Sequence, residues 1–435
     1  MEEVTIQKMV HGGQGLAELA DGRKVFVWNA LPGEIVRVRI IKKKRSYAEA
    51  IAEEIVQASP ERIEPVEENY LATSPWQMMA FAAENQYKSQ IVQELFTQAH
   101  IATDKLDFTT VSGKTDRDGE FISPPDAAEN SSGIFHYRNK MEYSFWGDEQ
   151  GLHLALHQRG SHGKQIVQGS ELAMKALDEG AQAVLHELRK LDGRAGDLKT
   201  IIVRCSQNGD VVAALYTKLQ SFSKLTLPSG VQGLRVYHSN PKSPASVPTK
   251  LIYELGDATL SDKLLGKTFE YDVDSFFQVN LPIYEKALTR IREQCIGDPV
   301  DMYAGTGSIG LSVAQKAVNL VELDPATAAM ARVNAEKSGL KAEVVEASTE
   351  KALEYIVPDR TVIFDPPRAG LHPKVTERCL EVMPPQIIYL SCNPATQARD
   401  LAILQEKYTI DFFEVYNFFP RTPHIEVLAV LSRKK

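Results

Sequence analysis

The chain has 435 residues, which at ~150 residues per domain implies about three domains. Hydrophobic residues at 43% and charged residues at 24% lie near globular averages and exclude disordered, collagen-like and coiled-coil classes. A formal net charge of -8 argues against a protein that coats nucleic acid over its whole surface, and leaves room for a local basic face.

No apolar run approaches the ~18 residues of a bilayer span, and the start MEEVTIQK is too acidic and polar for a signal peptide. The expected location is the cytoplasm. Cys205, Cys295, Cys379 and Cys392 lie far apart with no CxxC pair. Neither a disulfide framework nor a thiolate metal cluster is expected, and no metal ligand is assigned.

Residues 1–58 read as a small β module of five short strands, an OB-like barrel. Alternating stretches such as Lys24-Val25-Phe26-Val27-Trp28 are separated there by Gly, Pro and Asp turns. Arg37, Arg39, Lys42, Lys43, Lys44 and Arg45 lie close together with no acid among them, beside Tyr47. On a hairpin this makes a positive edge next to an aromatic, suited to RNA. An edge strand protected by Lys against aggregation would look the same.

Residues 59–65 read as a linker. Helical patterns follow at 77–100 and 169–191 with strand-like pieces between and after them, making a central α/β region over 59–275. The Gly/Pro/Ser-rich stretches 113–133 and 239–249 read as surface loops. Arg138, Asn139 and Lys140, after Tyr137, form a polar cluster entering an alternating strand and are candidate RNA contacts.

From about Ile296 the pattern becomes strand, glycine turn, helix, with apolar runs ending at Tyr303, Leu323, Val345, Phe364 and Leu390. Parallel strands with crossover helices follow, with helices at 309–316 and 325–337. In such sheets ligands bind beyond the carboxyl ends of the strands. The first end, DMYAGTGSIG, lets the backbone approach a ligand. Glu322 closes the second strand where an acid can take both hydroxyls of an adenosine ribose, so a dinucleotide also fits at this point. The fourth end, FDPPRAG, separates the candidates. Paired prolines leave Asp365 without a neighbouring N–H, a feature dinucleotide folds do not need. The fifth end carries Cys392, which leads into a helix N-terminus able to lower a thiol pKa.

FFQVN (276–280), DMYAGTGSIG, VELD, FDPPRAG, SCNPATQARD and FFPRTPHIE together resemble the uracil-C5 RNA methyltransferase family, and residues 1–58 resemble its TRAM module. The resemblance implies a Rossmann-like S-adenosylmethionine (SAM) methyltransferase domain over 276–435. It implies SAM held by Gln278, Tyr303, Gly305, Gly307, Ser308, Glu322 and Asp365, with Cys392 as nucleophile and Glu426 as base. Rather than tRNA, ribosomal RNA is the favoured substrate. Members with TRAM often hold an iron–sulfur cluster in a P-x-C then C-G-G-C arrangement. Here Pro65-Val66-Glu67 and Ser74-Pro75-Trp76-Gln77 stand in its place. No cluster is expected, and packing around Trp76 is expected to replace it.

The chemistry suits these residues. Uracil C5 is a weak nucleophile until a thiolate adds at C6, and a base must then remove the C5 proton. A cytosine-C5 enzyme and a non-catalytic RNA-binding factor are the alternatives.

Overall fold

The computed structural model describes residues 1–112, 133–161, 163–191, 193–244 and 246–434. Most of the 113–133 stretch read as a loop lies outside the described residues.

The N-terminal module holds six strands, where five were expected. The order across its sheet is Glu2–Thr5, Ile35–Lys43, Tyr47–Gln57, Lys24–Trp28, Gly15–Glu18 and Lys8–Met9. Alternation does the folding. Val36 and Val38 point into a core with Val4, Val25, Val27 and Ala50, while Arg37 and Arg39 between them face outward. The 59–65 stretch is not a free tether, because Arg62 forms an ion pair with the fully buried Glu34 at 2.6 Å.

The central region is a seven-stranded sheet, ordered Lys164–Ile166, Gly151–His157, Lys140–Asp148, Leu198–Cys205, Val211–Thr217, Gly233–His238 and Lys250–Gly256. The helix Lys175–Lys190 covers one face with Leu177, Val184 and Leu188. The other face, with Ile202, Val212 and Tyr216, packs into the core of the C-terminal half. The central strands Leu198–Cys205 and Val211–Thr217 are therefore buried on both sides, and the two halves share one wall.

The C-terminal sheet runs Lys341–Glu346, Ala317–Glu322, Val300–Asp301, Val362–Phe364, Gln386–Ser391, Glu426–Arg433 and Tyr408–Tyr416, the first five parallel. Glu426–Arg433 inserts antiparallel between Gln386–Ser391 and Tyr408–Tyr416. Strand order reverses between Val300–Asp301 and Val362–Phe364, the switch point where α/β sheets bind ligands.

Two segments read with the central region belong structurally to this sheet. Helix Phe81–Gln98 buries Val92 and Phe96 against Tyr408 and Phe413, and Thr110–Val111 pairs with Tyr408–Tyr416 as an eighth strand. The hairpin Thr259–Leu264/Lys267–Asp272 is likewise tied to helix Pro325–Ser338, where Asn334 Nδ2 donates to the Glu270 carbonyl at 2.9 Å.

Candidate active site

Register brings the two catalytic candidates together. Ser391 pairs with Val427 across antiparallel strands. One residue beyond this pair on each segment come Cys392 and Glu426, near enough that the Glu426 carboxylate acts on the thiol. Phe364 pairs with Tyr389 on the parallel side, so Asp365 emerges at the same sheet end. All three line one cleft of about 1380 Å³, together with Gln278, Tyr303 and Glu322.

Burial and like charge set the electrostatics of this corner. Burial first, then the neighbouring Asp365 carboxylate, pushes Glu426 well above the usual carboxylate range. Burial and then Asp301 push Asp365 up to about 7. Glu426 Oε2 is buried with no hydrogen-bond partner among the described residues, a costly state that a ligand group relieves. Burial, then Glu426 and Asp365, hold the Cys392 thiol up at about 12. The thiol lowered by a helix N-terminus, expected from sequence, is thus not what the structure holds. The helix Pro394–Leu404 does start beside Cys392 with Asn393 as its cap. Its partial charge is outweighed by burial and two carboxylates. Cys379 and Cys205 are also raised to about 12 by burial. Among the four cysteines only Cys392 lines the cleft, so position and not pKa distinguishes it.

At the first strand end the Gly305 amide donates to Glu322 Oε2 at 2.8 Å, and the Asp324 amide donates to Oε1 at 2.8 Å. This fixes the Glu322 carboxylate at the cleft edge with lone pairs to spare. Ser308 Oγ pairs with the Tyr284 hydroxyl at 2.7 Å. Gly307 is a correction. It does not line the cleft but caps helix Ser308–Val313 at φ 86, and a Cβ there would come 2.8 Å from Leu311 Cδ1. Its left-handed backbone and its packing on Leu311 serve the turn. Gln278 is placed from the central domain, since Asn139 Nδ2 donates to its carbonyl at 3.1 Å and Arg204 Nη2 to that of Phe277 at 3.2 Å.

That contact also corrects the polar cluster. Asn139 is buried and holds the Gln278 segment, so it is closed to RNA. Tyr137 is buried too, donating to the Pro420 carbonyl at 3.0 Å. Arg138 and Lys140 line the cleft, and burial lowers the Lys140 ammonium to about 8. The barrel edge is less positive than its own strand suggests. Arg37 pairs with Glu54 at 2.8 Å, Lys42 with Glu49 at 3.1 Å, and Arg39 with Glu53, all acids of the neighbouring strand. Lys43, Lys44 and Arg45 at the hairpin tip form no ion pair among the described residues.

Several site groups were missed by sequence reasoning. Arg368 Nη2 lies 3.2 Å from His424 Nδ1. A guanidinium can only donate, so Nδ1 accepts and the ring proton sits on Nε2. Burial, then Arg368, drives His424 down to about 3, keeping it neutral. Its signal was its place two residues before Glu426. Among the described residues, Thr306 Oγ1 and Ser348 Oγ are buried in the cleft wall with no hydrogen-bond partner. Thr306 sits within the glycine motif, whereas Ser348 carries no sequence signal. These orphaned donors and Glu322 fit a polar, ribose-bearing ligand.

Where the iron–sulfur cysteines of the resembled family would stand, a polar knot closes instead. Glu67 Oε1 accepts from Ser74 Oγ at 3.0 Å and Gln77 Nε2 at 2.9 Å, and Gln77 Oε1 accepts from the Val66 amide at 3.0 Å. Trp76 beside it is fully buried and donates through Nε1 to the Gly13 carbonyl at 3.0 Å. Hydrogen bonding as well as packing therefore fills the place. Among the described residues no group of three or more His, Cys, Asp or Glu is arranged to hold a metal ion, and no helix is long and apolar enough to cross a membrane.

Residues 355–434 match the tRNA (uracil-5-)-methyltransferase family model, and residues 1–52 match the TRAM domain. A relative from Lactiplantibacillus plantarum, named an uncharacterized RNA methyltransferase, is 30% identical over 466 residues, covering 100% of this chain and 97% of that protein. One from Thermotoga maritima with the same name is 26% identical, covering 100% and 99%. In fold the chain is similar to the crystal structure of Pyrococcus abyssi tRNA (uracil-54, C5)-methyltransferase in complex with S-adenosyl-L-homocysteine. The TM-score is 0.74 at 21% identity, covering 98% of this chain and 100% of that one.

Proposed function

The chain belongs to the tRNA (uracil-5-)-methyltransferase family of RNA methyltransferases, and from that premise we propose that it converts uridine to 5-methyluridine in RNA through a covalent Cys392 adduct. The observation that carries the mechanism is the meeting of Cys392 and Glu426 at one cleft end, each one residue beyond the Ser391–Val427 pair, with Glu426 Oε2 unpartnered among the described residues. SAM supplies a sulfonium methyl group, and Gln278, Tyr303, Gly305, Ser308, Glu322 and Asp365 would hold it.

Cys392 gives its thiol proton to solvent in the cleft and adds as thiolate to uracil C6, and the electron pair of the C5=C6 π bond makes C5 enolate-like, able to take the methyl group. Glu426 then removes the C5 proton. The C–H pair reforms C5=C6 and expels the thiolate. As negative charge builds on the uracil carbonyl, a neutral His424 with its proton on Nε2, held by Arg368, is a suitable donor. Donors at this position suit the O4 acceptor of uracil over the amino group of cytosine, so uracil is preferred to the cytosine-C5 reading. The complete pair also weighs against a non-catalytic RNA-binding factor.

Turning a base out of its fold costs a few kcal/mol. Contacts of the barrel tip Lys43, Lys44 and Arg45, and of Arg138 and Lys140 at the cleft, would supply this. We favour ribosomal RNA as substrate and a cytoplasmic setting. The second reading is tRNA, because both the family description and the Pyrococcus structure name it. The test is methyl-labelled SAM with total RNA from a strain lacking this protein, followed by size separation and nucleoside analysis. Label in 5-methyluridine of ribosomal RNA is expected. Label in tRNA selects the second reading, and label in 5-methylcytidine or none refutes the proposal.

A further inference from the structure

Glu426 opens the final strand, but the irregular segment 417–425 before it makes few hydrogen bonds of its own. It is held from outside. The Arg421 amide donates to both oxygens of Glu84 at 3.0 Å, and Lys88 Nζ donates to the Phe419 carbonyl at 3.2 Å. Trp76 spans two partners. Its backbone amide donates to the Arg421 carbonyl at 3.1 Å and its indole N–H to the Gly13 carbonyl at 3.0 Å. Gly13, in a turn of the N-terminal barrel, packs directly on Pro423. A Cβ built there would lie 2.4 Å from Pro423 Cβ, closer than carbon atoms approach without displacing something. Neither of these last contacts belongs to the sheet that carries Cys392.

We propose that Gly13 is a positioning residue for Glu426. The barrel, read above as an RNA-holding module, also presses the catalytic loop into place, so that elimination from the Cys392 adduct depends on a domain that never touches the reacting atoms. The inference rests on the proposed uracil chemistry and adds to it a second role for the first domain. It predicts a fault weighted toward one step. Displacing Pro423 shifts His424 and Glu426 together, so addition from Cys392 on its own strand is slowed, and elimination, for which Glu426 is the base, is slowed more.

Two neighbouring glycines make the test clean. Gly12 and Gly13 both have φ +97, so alanine strains the backbone alike at each, but a Cβ on Gly12 meets nothing within 4 Å. Full-length wild type, Gly12→Ala and Gly13→Ala are compared using methyl-labelled SAM and total RNA from a strain lacking the protein. Turnover, the labelled protein–RNA adduct on denaturing gels, SAM affinity and the melting transition are recorded. Gly12→Ala should keep wild-type turnover and form no lasting adduct, with only its melting transition lowered by the backbone strain. Gly13→Ala should lose about tenfold or more in turnover and accumulate methylated adduct with SAM affinity unchanged.

Should Gly13→Ala fail to fold, Trp76→Phe, which deletes the indole donor to the Gly13 carbonyl, should give the same adduct in smaller yield. Normal turnover without adduct in the variant that folds overturns the inference, as does loss of turnover with no adduct. A wild type that makes no 5-methyluridine overturns the functional reading itself, an outcome seen before any variant is compared.

Discussion

Replacing Glu426 by glutamine separates the two halves of the reaction. Glutamine keeps the size of the side chain but cannot accept the C5 proton. A positioned base is worth ~10²–10⁴ in rate, or ~3–5.5 kcal/mol. The structure says what happens to the earlier step. After burial, Glu426 is the leading cause of the raised Cys392 thiol, so removing its charge makes the thiolate easier to form and does not slow addition. A product-forming step of ~1 s⁻¹ slowed by that factor would leave an adduct lasting from minutes to hours. That is long enough for a denaturing gel. With labelled RNA and labelled SAM, Glu426→Gln should therefore accumulate methylated RNA joined to Cys392, while Cys392→Ala forms no adduct. A Glu426→Gln enzyme that turns over normally, or a bond mapped to Cys205, Cys295 or Cys379, refutes the reasoning.

Glu322→Ala should weaken SAM binding by ~3 kcal/mol, roughly a hundredfold in Kd, since two charge-assisted hydrogen bonds to a ribose are lost. Calorimetry checks this, and unchanged affinity removes Glu322 from the cofactor site. Neutralising Lys43, Lys44 and Arg45 together should flatten the salt dependence of RNA binding by up to ~2 in logarithmic slope. The same treatment of Arg37, Arg39 and Lys42, already paired with Glu54, Glu53 and Glu49, should change it less, and equal effects would contradict this division. Adduct breakdown should rise with pH, because Glu426 acts as a carboxylate and its pKa is raised. Its plateau should lie well above pH 4.5, and His424, neutral above about 3, should add no step near ~6.5. A plateau already reached at pH 4.5 would exclude Glu426 as the base. Purified protein should contain no stoichiometric iron or sulfide, with the Glu67, Ser74 and Gln77 knot in that place, and elemental analysis decides it.

Much of the site is legible locally. A parallel strand followed by a glycine turn or a proline pair places the next side chain at a ligand crevice whatever the rest of the chain does. Glu322, Asp365 and Cys392 could therefore be read from their own strands. Alternation around Val36 and Val38 likewise gave the barrel wall and the outward arginines. Residues whose role lies in a partner far along the chain were misread. Asn139 looked like an exposed polar residue until the Gln278 carbonyl occupied it.

What only tertiary structure decided depends on register and on charges brought in from elsewhere. The last strand enters antiparallel between Gln386–Ser391 and Tyr408–Tyr416, and this alone brings Glu426 to the same cleft end as Cys392. Charge counting along Ile35–Lys43 finds no acid, because the neutralising glutamates sit on the strand Tyr47–Gln57 that pairs with it. The thiol is raised, not lowered, because two carboxylates from other strand ends and burial outweigh one helix terminus. Local sequence specifies backbone preference and which side chain lies at a strand end. The dielectric and the charges around that side chain are sums over residues brought close by folding, and they have no signature in the residues next to it.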